Sequence, residues 1–139
     1  MVDNMRYGAE GSAETRTRIL IVDDNVALAM QVQSHLKRAG HDVHVEHKGK
    51  PALIYAADHQ MDLVVLDLGF PDMSGYEICV ELRRIYYPWK LPVVMLTGMS
   101  RPKDQLLGFS HGADAYLTKP VTTSELINTV DSMLTRERA

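Results

Sequence analysis

The sequence predicts a single α/β domain in which a parallel sheet of five strands alternates with five helices. Short apolar runs, too brief for helices and rich in branched residues, recur along the chain. Between them lie segments whose apolar residues repeat every three or four positions, as on one face of a helix. Strands separated by helices run parallel, because each crossover returns the chain to the same end of the sheet. A chain of 139 residues has room for one such domain around a single core.

The first half of the chain carries two clear strand signals and one weak one. Residues 19–22 and 63–66 are unbroken runs of Ile, Leu and Val, typical of strands that are buried on both faces. Val43 and Val45 alternate with polar residues and indicate a weaker strand. Apolar residues four positions apart predict the helix after the first strand, and Gly40 supplies its stop. The elements expected here are strand 18–22, helix 26–39, strand 43–45, helix 50–59 and strand 63–66.

Prolines and a pair of threonines mark the element boundaries of the second half. Pro88 and Pro92 bracket the loop that follows the third helix, and a fourth apolar run comes directly after it. A short fifth strand ends at Thr118. Thr122 or Thr123 is expected to cap the last helix, whose apolar residues again repeat at intervals of four. The elements expected here are helix 76–86, strand 93–96, helix 102–111, strand 115–118 and a last helix beyond the threonine pair.

Composition and charge exclude several classes of protein. The net charge of −3 gives no basic surface for nucleic acid or an acidic membrane, and no apolar run approaches the length that spans a bilayer. The polar start of the chain lacks the apolar core of a signal peptide, so a cytoplasmic location is expected. The single cysteine, Cys79, has no partner for a disulfide. Residues 1–17 are expected to form a flexible tail, and the folded domain is expected over 18–137.

Polar residues follow four of the five predicted strands. Asp23 and Asp24 come after the first strand, Asp67 after the third, Thr97 after the fourth and Lys119 after the fifth. The carboxyl ends of parallel strands meet at one edge of a sheet, which is where open α/β sheets bind ligands. Asp67 alone could equally cap a helix, because Asp is a good N-cap residue. The other residues at the same edge favour a chemical role.

Three carboxylates at one sheet edge repel one another by several kcal/mol unless a cation neutralises them. Oxygen ligands with open water positions favour Mg²⁺, with Mn²⁺ as a substitute. The positive charge of Lys119 and the hydroxyl of Thr97 could then surround a phosphoryl group attached to Asp67. This combination of a carboxylate nucleophile, a metal and two donors suits the formation of an acyl phosphate.

Several groups of residues, in this order and spacing, together resemble the receiver domain of two-component response regulators. They are Asp23-Asp24-Asn25, Asp67 with Pro71 and Gly75, Thr97-Gly98, and the run from Gly112 to Pro120. The resemblance covers residues 18 to 136. It implies a flavodoxin-like, doubly wound sheet with the strand order 2-1-3-4-5. It also implies that Asp67 accepts a phosphoryl group from the phosphohistidine of a kinase.

The resemblance assigns the metal ligands by position. Asp24 resembles the direct ligand, Asp23 the partner that binds mainly through water, and Asp67 the ligand that is also the phosphoryl acceptor. The backbone carbonyl of Gly69 would be a further ligand. The family often has a larger side chain at position 69 that shields the phosphoaspartate. A glycine there predicts a short phosphoryl lifetime.

The resemblance also implies a switch. Thr97 resembles the hydroxyl that moves to the phosphoryl group, and Tyr116 the aromatic side chain that turns inward with it. Lys119 resembles the phosphate-binding lysine, and its peptide bond to Pro120 would be cis. Asp67, Thr97 and Lys119 are thus the expected reactive residues. The domain is expected to signal rather than to act as an enzyme, beyond catalysing its own phosphorylation and dephosphorylation.

Partners follow from the same resemblance. A sensor histidine kinase or histidine phosphotransfer protein would supply the phosphoryl group, and an output protein would bind the face formed by the fourth helix, fifth strand and fifth helix. Direct DNA binding and membrane binding are not expected. Gln105, Ala115 and Thr129 stand where dimerising transcription-factor receivers carry charged residues, which predicts a monomer or weak homodimer. The chain is expected to be either a stand-alone receiver or a piece of a longer regulator or hybrid kinase.

Three alternatives belong to other classes. A receiver-like scaffold that is never phosphorylated would not need the acidic pair, the acceptor and the lysine. A hydrolase with an aspartyl nucleophile would show Asp-x-Asp after its first strand, where this chain has Asp23-Asp24-Asn25. A flavin carrier would show a Ser/Thr/Gly-rich phosphate loop at that point instead.

Two further groups of side chains are expected to be structural. Tyr86, Tyr87 and Trp89 lie in or beside the loop after the third helix, where anchoring the loop to the core is the ordinary role and a partner contact the alternative. His41, His44 and His47 fall on or beside the second strand, where side chains alternate between faces. They therefore cannot converge on a metal and are expected at the surface.

Overall fold

The computed structural model describes residues 16 to 138 and contains a five-stranded sheet with helices on both faces. The expected tail, residues 1–17, lies outside the described part except for its last two residues. The strands are β1 (Arg18–Val22), β2 (Asp42–Glu46), β3 (Leu63–Leu66), β4 (Val93–Thr97) and β5 (Ala115–Thr118). The helices are α1 (Val26–Arg38), α2 (Gly49–Asp58), α3 (Gly75–Tyr86), α4 (Pro102–Ser110) and α5 (Thr123–Arg138). All neighbouring strands pair in parallel in the order β2-β1-β3-β4-β5, which confirms the predicted topology.

The core lies on both faces of the sheet, and alternate residues of each strand serve opposite faces. In β1, Leu20 and Val22 belong to the cluster formed with α2 and α3, whereas Ile19 and Ile21 belong to the cluster formed with α1 and α5. All four are at most 1% exposed. Two covered faces explain why the central strands are apolar at every position except Arg18 and Thr97, each of which lies at a strand end.

Side-chain caps fix the starts of three helices. Asn25 accepts a hydrogen bond from the backbone N–H of Leu28 at the start of α1. Ser74 and Glu77 form a reciprocal capping box at the start of α3. Thr122, one of the two residues considered for the cap of α5, accepts from the N–H of Glu125 at 3.1 Å. Each of these three helices follows the carboxyl end of a strand.

The loop after α3 only partly follows the prediction. Tyr86 is buried, and its hydroxyl bonds to the carbonyl of Ala56 and the N–H of Met61, both at 2.9 Å. Tyr87 and Trp89 are 81% and 71% exposed, so the prediction that they anchor the loop was wrong. The helix ends at Tyr86, and the backbone of Tyr87 turns to φ −56° and ψ 135°, which directs the following residues away from the core. Among residues 16–138, no helix has the length and hydropathy that crossing a bilayer requires.

Candidate functional site

The parallel register brings the predicted site residues to one edge of the sheet. Val22 of β1 pairs with Leu66 of β3, so the residues that follow them, Asp23 and Asp67, leave the sheet side by side. On the other side of β3, Thr97 is the last residue of β4. The N–H of Lys119 donates to the carbonyl of Thr97 at 2.8 Å. Neighbouring strand ends therefore hold all four residues.

Three carboxylates of this edge form a group that could hold a metal ion. Asp23, Asp24 and Asp67 each offer an oxygen, and these oxygens lie within 4.8 Å of one another. Asp23 is buried, Asp67 is half-buried and Asp24 is exposed, so the group opens to solvent on one side. Oxygen ligands with an open side fit Mg²⁺, which keeps several of its waters when it binds to proteins.

Lys119 connects two of these carboxylates. Its Nζ lies 2.9 Å from Oδ2 of Asp23 and 3.1 Å from Oδ2 of Asp67. Burial acts to lower the pKa of Lys119, but the hydrogen bond to Asp23 and the charges of both carboxylates outweigh it and raise the pKa. Burial raises the pKa of Asp23 despite the hydrogen bonds from Lys119 and the N–H of Asn25. The ammonium group therefore stays charged and partly neutralises the pocket.

The remaining oxygen of each carboxylate is held by a backbone N–H. Oδ1 of Asp23 accepts from Asn25 at 2.9 Å, and Oδ1 of Asp67 accepts from Leu68 at 2.7 Å. Asp67 does not cap α3, because Ser74 is the N-cap residue of that helix. The helix-cap alternative for Asp67 is therefore excluded.

Thr97 and Tyr116 both contact Met99 in the loop after β4. Thr97 is 1% exposed, and its Oγ1 accepts from the N–H of Met99 at 3.3 Å. The Tyr116 hydroxyl donates to the carbonyl of Met99 at 2.7 Å. Gly108 of α4 makes room for the Tyr116 ring, because a Cβ there would lie 2.9 Å from a ring carbon. The peptide bond between Lys119 and Pro120 is cis.

Two side chains near the site make contacts that the sequence did not predict. His47 contacts the carbonyl of Asp23 through Nδ1 at 2.9 Å. Asp72 accepts hydrogen bonds from the N–H groups of Gly49 and Lys50 at the start of α2. The absence of a Ser, Thr, Asp or Asn before α2 was a signal that its cap must come from elsewhere in the chain.

The histidines near β2 contact different partners, as the alternation of the strand predicts, but only 10% of the His41 side chain is exposed, so the prediction that it lies at the surface was wrong. Nε2 of His44 lies 2.7 Å from Glu46, and its ring stacks on Tyr55. His41 lies 3.6 Å from Asp131. Within the described part of the chain, they are not among the residues that could group around a metal.

Comparison with known proteins identifies similar sequences. A family model for the response regulator receiver domain matches residues 19–131. The DNA-binding dual master transcriptional regulator RpaA of Synechocystis sp. is 40% identical over 119 residues, which are 86% of this chain and 49% of that protein. The response regulator ArlR of Staphylococcus saprophyticus is 36% identical over 121 residues, 87% of this chain and 54% of that protein. The chain spans about half the length of both curated relatives.

Solved structures resemble the whole folded part. A CheY-like response regulator receiver domain protein from Methanospirillum hungatei superposes with a TM-score of 0.84 at 27% identity, covering 89% of this chain and 98% of that one. A putative response regulator from Chloroflexus aurantiacus gives a TM-score of 0.82 at 31% identity, covering 88% and 100%. The chemotaxis protein CheY4 of Vibrio cholerae gives 0.81 at 28% identity, covering 86% and 99%.

Proposed function

This chain belongs to the receiver-domain family of two-component response regulators, and from that premise we propose that Asp67 is its phosphoryl acceptor. Members of the family are signalling domains that take part in phosphorelays. The observation that carries the proposal is the environment of the Asp67 carboxylate. It follows β3 at the edge of the sheet, within 4.8 Å of two other carboxylates and 3.1 Å from the Lys119 ammonium group.

The proposed reaction is a transfer from the phosphohistidine of a sensor kinase or phosphotransfer protein. An oxygen of Asp67 attacks the phosphorus atom, and an O–P bond forms as the P–N bond of the donor breaks. The electron pair of the broken bond stays on the imidazole nitrogen, and the donor leaves as a neutral histidine because its other ring nitrogen carries a proton. Lys119 and the Thr97 hydroxyl donate hydrogen bonds to the phosphoryl oxygens, where negative charge is concentrated.

The acidic group is the proposed magnesium site. Asp23, Asp24, Asp67 and the carbonyl of Gly69 would hold Mg²⁺ or Mn²⁺, because all are oxygen donors and the group is open on the side of Asp24. When bound, the cation screens the acceptor carboxylate from the negative charge of the incoming phosphoryl group. The chain supports this role by orienting Asp23 and Asp67 with backbone N–H groups.

The proposed signal is a two-state change of the face formed by α4, β5 and α5. Thr97 would exchange its contact with Met99 for one with the phosphoryl group, and Tyr116 would release the Met99 carbonyl. Leu106 and Phe109 of α4 are 72% and 48% exposed on that face, which supports an apolar contact with an output protein or a further domain. The proposed residence is the cytoplasm, and the proposed state is a monomer or weak homodimer.

Intact mass after incubation with acetyl phosphate or phosphoramidate tests the acceptor role. We expect a gain of one phosphoryl mass that needs Mg²⁺ and is lost in Asp67→Asn. Asp58→Asn is the matched control, because Asp58 is an exposed carboxylate at the far end of α2. No gain under any condition would reject phosphorylation and favour the scaffold alternative.

A further inference from the structure

The loop that follows Asp67 is tied to the start of α2. Lys48, at the N-cap position of α2, makes no side-chain cap bond to any described residue. Asp72 provides the cap instead: Oδ1 accepts from the N–H of Gly49 at 3.0 Å and Oδ2 from the N–H of Lys50 at 2.8 Å. These two hydrogen bonds lower the pKa of Asp72. A negative side chain is also favoured at a helix N-terminus by the helix dipole.

Close packing reinforces this contact. A Cβ at Gly49 would lie 2.5 Å from Cγ of Met73, so the backbone of α2 approaches the loop as closely as a glycine permits. A Cβ at Gly75 would lie 2.3 Å from the carbonyl oxygen of Asp67. The N–H of Gly75 donates to the carbonyl of Leu68 at 2.8 Å. The loop between β3 and α3 therefore packs against the backbone of Asp67 at Gly75 and against the start of α2 at Met73.

The residues just before α2 contact the backbone of Asp23. The N–H of Asp23 donates to the carbonyl of Glu46 at 3.1 Å, and His47 lies 2.9 Å from the carbonyl of Asp23. Because a carbonyl oxygen can only accept, Nδ1 of His47 is the donor. Residues 47–50, which we term the β2–α2 segment, thus contact Asp23 after β1 and, through Asp72, the loop that follows Asp67.

We propose that the β2–α2 segment positions the acidic pocket, with His47 and Asp72 as positioning residues. His47 fixes the backbone that carries Asp23, and Asp72 fixes the loop that begins at Asp67. Neither residue needs to touch the metal or the phosphoryl group. The inference rests on the proposed function, because it assigns these residues to the site that would be phosphorylated.

Amide hydrogen exchange in the metal-free protein tests the Asp72 contact directly. Asp72→Ala removes both acceptors, and we expect the amides of Leu68 and Gly75 to exchange about tenfold faster, as for the loss of one strong hydrogen bond. Asp72→Asn keeps one acceptor oxygen and should restore most of the protection. Unchanged protection in β4 will show that the fold is intact. The control is Asp58→Ala, which removes an exposed carboxylate of α2 and should leave the exchange rates of the Leu68 and Gly75 amides unchanged.

A second variant tests the other contact. His47→Phe keeps a ring and removes the donor, and it should accelerate exchange at Asn25, whose N–H bonds to Asp23. If exchange in Asp72→Ala changes only at Gly49 and Lys50, Asp72 is merely a helix cap and the proposal is overturned.

Phosphorylation provides a separate readout. Asp72→Ala should raise the Mg²⁺ concentration for half-maximal phosphorylation about threefold or more, as expected when supporting residues of a metal site are removed. An unchanged Mg²⁺ requirement would contradict the positioning role. If the wild type takes up no phosphoryl group, the proposed function fails, but the exchange measurement still decides whether Asp72 and His47 position the pocket.

Discussion

A single ammonium group, that of Lys119, holds one oxygen of Asp23 and one of Asp67. The other oxygen of each carboxylate accepts from a backbone N–H. Both side chains are thus oriented before any ligand binds, whereas Asp24 is exposed to solvent. At the residue scale, preorganisation of this kind favours reaction at a defined oxygen of Asp67.

Gly69 is the residue whose substitution should change the phosphoryl lifetime. It is exposed, and no described atom lies within 4 Å of a Cβ placed there, so a side chain fits without strain. In Gly69→Asn the side chain should hinder the approach of water to phosphorylated Asp67. We expect the loss of the phosphoryl group to be about threefold slower or more. This corresponds to an increase of about 0.6 kcal/mol or more in the activation barrier of hydrolysis.

The decay of phosphorylated protein after removal of the donor measures this lifetime. Gly69→Ala serves as the control for backbone effects and should lie between the wild type and Gly69→Asn. Faster decay in Gly69→Asn than in the wild type would contradict the explanation.

At the element scale, Asp114 connects α3, β4 and β5. Its Oδ2 accepts from the N–H of Val93 at 2.8 Å and from Arg83 at 2.6 Å, and its Oδ1 lies 3.2 Å from Lys90. Arg83 also donates to the carbonyls of Leu91 and Gly112. Burial acts to raise the pKa of Asp114, but the Val93 N–H and the two cations outweigh it and lower the pKa. The amino ends of β4 and β5 are therefore joined by the Asp114 carboxylate.

This network predicts a pH-dependent loss of stability. Because the pKa of Asp114 is lowered on folding, its contribution is complete above the ordinary carboxyl pKa of 3.8 and is lost as the pH falls through the lower folded value. Asp114→Asn should lower the free energy of unfolding by about 1–3 kcal/mol at neutral pH. The difference from the wild type should stay constant from about pH 7 to about pH 5 and should shrink as the pH falls further.

Urea unfolding of both proteins across this pH range measures the difference. Asp58→Asn, which alters an exposed carboxylate, should show little difference from the wild type at any pH. A deficit in Asp114→Asn that stays constant down to the lowest pH would show that the charge is not the cause.

Elements with a strong local signal were predictable from the sequence, and those set by distant contacts were not. The apolar runs of β1 and β3 are visible in the sequence because both faces of these strands are covered. The edge strand β2 is longer than predicted, because backbone pairing with β1 includes the polar Asp42 and Glu46. The exposure of Trp89 depends on the backbone turn after α3, which local sequence does not specify.

The same distinction between local signals and distant contacts applies to the residues of the site. Residues after the strands were predictable because a parallel sheet must bring its carboxyl ends together. The cap that Asp72 gives to α2 joins residues more than 20 positions apart. The missing cap residue before α2 indicates that a distant group supplies the cap, but no periodicity or local motif identifies Asp72 as that group.

In the molecule as a whole, the acidic pocket and the exposed Trp89 lie at opposite edges of the sheet. The acidic pocket follows the carboxyl ends of the strands, whereas Trp89 precedes the amino end of β4. Trp89 is the single tryptophan of the chain and is 71% exposed. Trp89 lines a cavity together with Leu134 near the end of α5, so a conformational change limited to the pocket and the part of the α4–β5–α5 face beside it should not reach Trp89.

Tryptophan fluorescence tests how far the switch extends. We expect emission typical of an exposed indole, and no change in its maximum when Mg²⁺ and a phosphoryl donor are added. Phe109→Trp, on α4, should add a signal that does change, because Phe109 lies on the proposed switching face. A shift of Trp89 emission on phosphorylation would instead require a change that crosses the sheet.

Borohydride trapping determines whether Asp67 itself becomes an acyl phosphate. Hydride reduces an aspartyl phosphate, releases phosphate and leaves homoserine at the modified position. After phosphorylation with Mg²⁺ present, we predict homoserine at position 67 and unmodified aspartate at 23 and 24 by peptide mass spectrometry. Homoserine at another position, or none in protein that has gained phosphoryl mass, would contradict the formation of an acyl phosphate on Asp67.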